Sequence, residues 1–148
     1  MRSSWRVALL FVGAAALVGA GRAWGVAAEK AAAAAAEDAK VFELRTYIAN
    51  DGKLDDLNKR FRDHTCKLFE KHGIENVGYW TPTDGEAAKN TLIYIVAHKS
   101  RDAAKASWKA FGADPDWQAA YKESHKNGPL VKKLESVYMK SADYSKIK

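Results

Sequence analysis

The chain has 148 residues, with 24 Lys and Arg against 18 Asp and Glu, a formal charge of +6 and 11% aromatic residues. That length holds one domain of ordinary size. Arg2, Arg6 and Arg22 stand before residue 29 with no acid among them, so the rest carries a charge of +3 with both signs interleaved; this excludes a phosphate-tracking basic stripe, and with it nucleic-acid binding.

Arg2 and Arg6 precede the uncharged apolar run of residues 7–20, and small residues follow around Ala23-Trp24-Gly25-Val26-Ala27-Ala28. A basic start, a short apolar core and an A-x-A-like end are the marks of an export signal. As a helix the run rises about 21 Å, short of the roughly 30 Å hydrocarbon core of a bilayer. The expectation is a signal peptide over residues 1–28, cleaved after Ala28 or beside Gly25, and a secreted or periplasmic mature chain with no stable membrane association. An uncleaved signal-anchor is the alternative. Cys66 is the only cysteine, so an exported domain carries no internal disulfide; a quiet thiol is expected, an intermolecular bridge being the other option.

Residues 29–40, EKAAAAAAEDAK, hold no large apolar side chain and read as a linker. The domain, 41–148, begins with VFELRTYI (41–48), whose period-two alternation predicts a strand. Asn50-Asp51-Gly52 breaks it. From Lys53 onward Leu54, Leu57, Phe61, Leu68 and Phe69 recur at helical spacing, and Gly73 closes this helix near residue 72. IENVGYWTP (74–82) reads as a second strand, stopped by Pro82 and a polar loop through Asn90. TLIYIVAH (91–98) is the most apolar strand, and its unbroken run suggests burial on both faces. Ser100 is a natural N-cap for a helix over 100–111, with Ala104, Trp108 and Phe111 on one face; Asp114-Pro115 opens a second short helix with Trp117, Ala120 and Tyr121 inward. VKKLESVYMK (131–140) is the last strand, and an irregular tail ends the chain.

The order β-α-β-β-α-β, with the second helix split, predicts an α+β ferredoxin-like fold: a four-stranded antiparallel sheet with helices on one face. The bare sheet face needs a cover, and pairing two sheets in a homodimer supplies it.

The segments "FELRTYIANDGKLDDLNKRFRDHTCKLFEKHG", "VGYWTP", "LIYIVAHKSRDAAKASWKAFGADPDWQAAYKES" and "LVKKLESVYMKSADYS" resemble the NIPSNAP family over residues 41–145. The resemblance implies a dimeric α/β barrel of ferredoxin-like subunits, in a superfamily that includes small monooxygenases and haem-associated proteins. NIPSNAP proteins have no established common reaction. The mitochondrial and vesicle-trafficking associations of eukaryotic members do not carry over to an exported chain.

The segment RFRDHTCKLFEKHG (60–73) gathers Asp63, His64, Cys66 and His72. On a wheel of 100° per residue, His64 falls in the inward arc with Leu54, Leu57, Phe61, Thr65, Leu68 and His72, whereas Asp63 and Cys66 fall outside it. His64 and His72 lie about 12 Å apart along the axis, too far for one metal, and residues two apart do not face each other, which excludes a His64–Cys66 nucleophilic pair. No metal and no cofactor are expected. His64 is either a satisfied half-buried histidine or a pocket residue; His72 suits a helix C-terminus; His98 and His125 read as peripheral.

Glu43, Arg45 and Tyr47 share one strand face. Buried there, Glu43 and Arg45 must pair. With His64, Tyr94 and Trp80 they form the candidate pocket, in which Arg45 holds an anion and the aromatics an apolar body; an ion pair that organises fold or dimer is the plainer reading. There is no nucleotide-binding glycine loop, nucleophile elbow or HExxH. Two functions stand open. One is a homodimeric module binding a small apolar or anionic ligand. The other is a monooxygenase- or isomerase-like enzyme with His64 as base and Arg45 and Tyr47 as electrostatic partners. Haem binding is a minor third.

Overall fold

The structure, a computed structural model, describes Val26 and residues 40–148, and the fold lies within the compact unit Ala35–Lys148. The signal peptide expected over 1–28 and the linker expected over 29–40 fall outside the described residues, Val26 and Lys40 excepted. Among the described residues no helix is long and apolar enough to cross a membrane.

Strand β1, Val41–Ala49, leads into a long helical segment built in three parts. These are α1 (Leu54–Arg60), a π-helical turn (Phe61–Thr65) and α2 (Cys66–Lys71). Asp55 and Asp56 in the first turn of α1 complement the helix dipole. At the other end Gly73 takes φ +72°, and the Ile74 amide donates to the Phe69 carbonyl at 2.9 Å, which closes the helix as only a residue without Cβ does cheaply. Next come β2 (Glu75–Trp80), a one-turn α3 (Ala87–Asn90) inside the expected polar loop, and β3 (Thr91–His98). Helices α4 (Arg101–Ala113) and α5 (Pro115–Ser124) precede β4 (Val131–Met139). The caps are those the sequence predicts: Ser100 accepts from the Ala103 amide, and Asp114 accepts from the Asp116 and Trp117 amides.

The sheet order is β2-β3-β1-β4, every neighbouring pair antiparallel, so the fold is ferredoxin-like α+β. Register assigns the two faces. Glu43, Arg45 and Tyr47 lie opposite Val96, Tyr94 and Leu92 on β3 and Tyr138, Ser136 and Leu134 on β4. The helices cover this face: Phe61 packs edge-on against Tyr47 and Tyr94, and Phe69 against Trp108 and Phe111. The core is therefore an aromatic layer between sheet and helices, and each fully buried ring of this size contributes about 3 kcal/mol or less to stability by transfer alone.

The opposite face carries Leu44, Ile48, Ile93 and Ile95, all half-buried, and Val137, 55% exposed. The unbroken run of β3 is thus fully buried on the helix side, and on the outer side it is buried at its ends, Thr91 and Ala97, and half-buried at Ile93 and Ile95. Part of the outer face is covered by the C-terminal tail, whose residues Lys140, Ala142 and Ile147 line a hollow with Phe42, Val77 and Met139.

Candidate functional site

Glu43 is 1% exposed in the middle of the sheet. Its Oε1 accepts from Arg45 Nη1 (2.9 Å) and Ser136 Oγ (2.6 Å), and its Oε2 from Trp108 Nε1 (2.7 Å) and His98 Nε2 (3.1 Å). Burial pushes the carboxyl up; the His98, Ser136 and Trp108 donors and the Arg45 charge more than reverse this and hold it at about 2. Four donors saturate the carboxylate, so this cluster ties β1, β3, β4 and α4 together and leaves no open acceptor for a substrate. Since the carboxylate only accepts, His98 must carry its hydrogen on Nε2; its Nδ1 is buried without a partner. His98, expected to be peripheral, belongs to this cluster because the last residue of β3 still faces α4.

Beside the cluster lies a cavity of about 220 Å³ between the sheet and the helices. Phe61, Phe69, Trp108, Phe111, Trp117 and Tyr121 form its apolar walls, with Tyr47 at its floor and Leu134 and Pro129 at its rim. Thr65 and His125 also line it, the first committed to the Arg60 carbonyl and the second, expected to be peripheral, paired through Nδ1 with the Tyr121 carbonyl. Two further polar groups reach it. One is the Tyr47 hydroxyl, which accepts from Tyr94 at 3.0 Å and so keeps its own hydrogen to donate. Burial first, then the Tyr47 dipole, holds the Tyr94 hydroxyl well above the usual tyrosine range, so it remains a neutral donor.

The other is Arg60. It is 5% exposed, its guanidinium stacks over Trp117 (5.2 Å) and Tyr121 (5.6 Å), and its Nη1 donates to Ser124 Oγ at 3.3 Å. Its Nε is buried with no partner. Among the described residues no carboxylate pairs with it. Burial draws its pKa below the ordinary arginine value, against the pull of Tyr47, Tyr121 and Tyr94. Arginine stays protonated nonetheless.

Arg60 stands three residues after the buried Leu57 and so lies on the same side of α1, and a π-helical turn re-aims the residues that follow it. The Cys66 amide donates to the Phe61 carbonyl, five residues back, and the Thr65 hydroxyl donates to the Arg60 carbonyl at 3.3 Å. The extra residue in the turn rotates the rest of the helix about its axis. Thr65, not His64, comes to lie beneath Arg60 and Phe61, and His64 is turned to an exposed position. The inward placement expected for His64 is therefore corrected. The same shift makes Cys66 half-buried.

Of the expected pocket residues, Glu43, Arg45, Tyr47 and Tyr94 share the helix-covered face, but only Tyr47 among them lines the cavity. Arg45 is committed to Glu43 and lies 4.3 Å over the Trp108 ring. Trp80 belongs elsewhere: it is 52% exposed, pairs in register with Ile93 on the outer face, and folds its ring over Gly78, where a Cβ would come within 2.5 Å of it. Tyr121, expected inward, is largely exposed at the cavity rim. His72 bridges to Asp114 Oδ2 at 2.6 Å beside Lys71 (2.8 Å), linking the end of α2 to the start of α5. Among the described residues no cluster of His, Cys, Asp and Glu could hold a metal.

Sequence reasoning missed Arg60, Trp117 and Tyr121 as a group. Arg60 stands three residues after Leu57 and five before Thr65, a spacing that fits one face only if the helix contains a π turn, and nothing in the residue types announces that turn.

The NIPSNAP family model matches residues 42–146. A NIPSNAP-family protein of unknown function from Agrobacterium tumefaciens strain C58 superposes with a TM-score of 0.65 at 25% identity, covering 75% of this chain and 96% of its own. An uncharacterised NIPSNAP domain protein from Burkholderia xenovorans gives 0.60 at 25% identity over 71% and 97%. A putative antibiotic biosynthesis monooxygenase from a Bacteroides thetaiotaomicron strain gives 0.52 at 12% identity over 71% and 91%, a likeness of fold alone. No curated protein matches the chain. With the family match spanning the whole described domain from the second residue of β1 into the tail, the chain belongs to the NIPSNAP family.

Proposed function

We propose that this NIPSNAP domain is an exported homodimeric module that binds a small apolar or anionic molecule in the cavity between sheet and helices. The observation that carries the binding reading is the cavity itself: aromatic walls, one buried cation and one available hydroxyl, the make-up of a small-molecule site rather than of a filled core. The enzyme reading built on His64 as base is withdrawn, because that imidazole stands exposed, away from Arg45 and Tyr47.

What supports the second copy is the outer sheet face, where Leu44, Ile93, Ile95 and Val137 form an apolar strip that water does not cover well. Export rests on the N-terminal pattern of Arg2, Arg6 and the apolar run.

One preparation tests all three elements. The full chain is produced with its own N-terminus, recovered from the exported fraction and measured by native mass spectrometry. The reading expects a protomer beginning at Glu29, a mass of two protomers, and a small-molecule adduct that is lost on collisional heating. Absence from the exported fraction would remove export, and retention of Met1 would remove signal cleavage. A monomer at micromolar concentration would remove the dimer, and adduct-free protein that binds nothing from a library of small aromatics would remove the ligand.

A further inference from the structure

The geometry points to a carboxylate-bearing ligand with a flat apolar body, its carboxylate paired to Arg60 and hydrogen-bonded by Tyr47. This rests on the binding reading above and adds the chemistry of the ligand.

The argument starts from charge. Arg60 is 5% exposed as a residue and its Nε is buried, and a charge so far withdrawn from water is costly unless an anion or a full set of acceptors replaces it. Arg60 has neither. It donates to the Ser124 hydroxyl, and its Nε has no acceptor. The Trp117 and Tyr121 faces supply part of the missing stabilisation, but a ring quadrupole is a weak substitute for a carboxylate. Asp56, Asp63 and Glu123 line a second, polar groove that Arg60 and Ser124 also line, yet none of the three comes within ion-pair distance of Arg60. Asp63 is instead taken by Lys59, and Glu123 by Lys126.

Contrast with Arg45 sharpens the point. Arg45 sits on the same side of the sheet with its side chain 14% exposed, and its Nε also lacks a partner, yet it has its own internal acid in Glu43 at 2.9 Å. The fold thus provides a counter-ion for one buried arginine and not for the other. Arg60 and the Tyr47 hydroxyl line one cavity, and Tyr47, already accepting from Tyr94, is poised to donate. Two donors lining one cavity whose walls are aromatic rings select a carboxylate on an aromatic or otherwise flat apolar group. At about 220 Å³ the space suits one or two rings, not a long chain.

The test is a calorimetric titration of the purified full-chain protein with three matched pairs: benzoate and benzamide, phenylacetate and phenylacetamide, 2-naphthoate and 2-naphthamide. Within each pair shape is conserved and only the charge changes. The inference expects one acid bound per protomer, at least 10-fold tighter than its amide. Arg60→Met should erase that preference, and Arg60→Lys should keep part of it, since a point charge lacks the planar fork. Acid and amide binding equally well overturns the inference and leaves the binding reading in place. None of the six binding overturns both. The wild-type comparison stands even if a variant fails to fold, and near-UV circular dichroism checks that the variants do.

Discussion

The indole of Trp108 donates a 2.7 Å hydrogen bond to the carboxylate of Glu43, joining α4 to the central strand of the sheet through a charged residue that is 1% exposed. Buried charges at the middle of a sheet are tolerated when every lone pair is used, and here Arg45, Ser136 and His98 use the rest. The cluster fixes which face of the sheet the helices cover.

Its first consequence is a loss of stability in acid. The carboxyl titrates at about 2 in the folded chain, below the ordinary glutamate value, so the unfolded state binds the proton first. The contribution is complete above the unfolded pKa and is lost as pH falls through the folded one. Urea unfolding should therefore weaken between about pH 4.5 and pH 2, by on the order of 2 kcal/mol once partial water access is allowed for. Glu43→Gln should flatten that part of the profile. An unchanged slope in the variant would remove Glu43 as its source.

Trp108→Phe keeps a ring against Phe69 and Phe111 but removes the indole donor to Glu43 and the larger face under Arg45. The expected cost is about 1–3 kcal/mol, as for other hydrogen bonds to a charged group. With one donor fewer, the Glu43 carboxyl moves up and the acid transition shifts to higher pH. A destabilised variant with an unshifted acid transition would show that Trp108 acts by packing alone.

Most of the fold was legible in the residues and one local feature was not. Alternation in VFELRTYI and TLIYIVAH, the Ser100 and Asp114 caps and the turn at Gly73 each act through near neighbours, so the strand and helix order can be read along the chain. The π turn at Phe61–Thr65 depends instead on tertiary demands, such as Asn76 Nδ2 donating to the Cys66 carbonyl at 2.9 Å. Missing that one extra residue put His64 inside, where the structure has it exposed, while Arg60, on the same side as Leu57, was left out of the inward set because it carries a charge. Trp80 lies on the outer face because β2 carries a register shift between Asn76 and Gly78, which reverses the alternation beyond it, and no residue type in ENVGYW announces that shift.

The proposed dimer makes a prediction at Val137. In a monomer this side chain, 55% exposed, tolerates Val137→Asp within about 0.5 kcal/mol. If two outer faces meet, the charge is buried without a partner, and sedimentation should show protomers where the wild type shows pairs, with the same circular dichroism. A variant that still pairs at the wild-type concentration would place the interface elsewhere.

The central claim is that Arg60 is held buried for a ligand rather than for the fold, and its most direct test is the stability of Arg60→Met without any ligand present. A charge that lacks an acceptor costs stability, and an apolar side chain of similar length removes the cost. Urea unfolding at neutral pH should find Arg60→Met more stable than wild type, by about 1–3 kcal/mol. A variant less stable than wild type by a similar amount would mean that the ligand-free protein already satisfies Arg60, and would contradict the account.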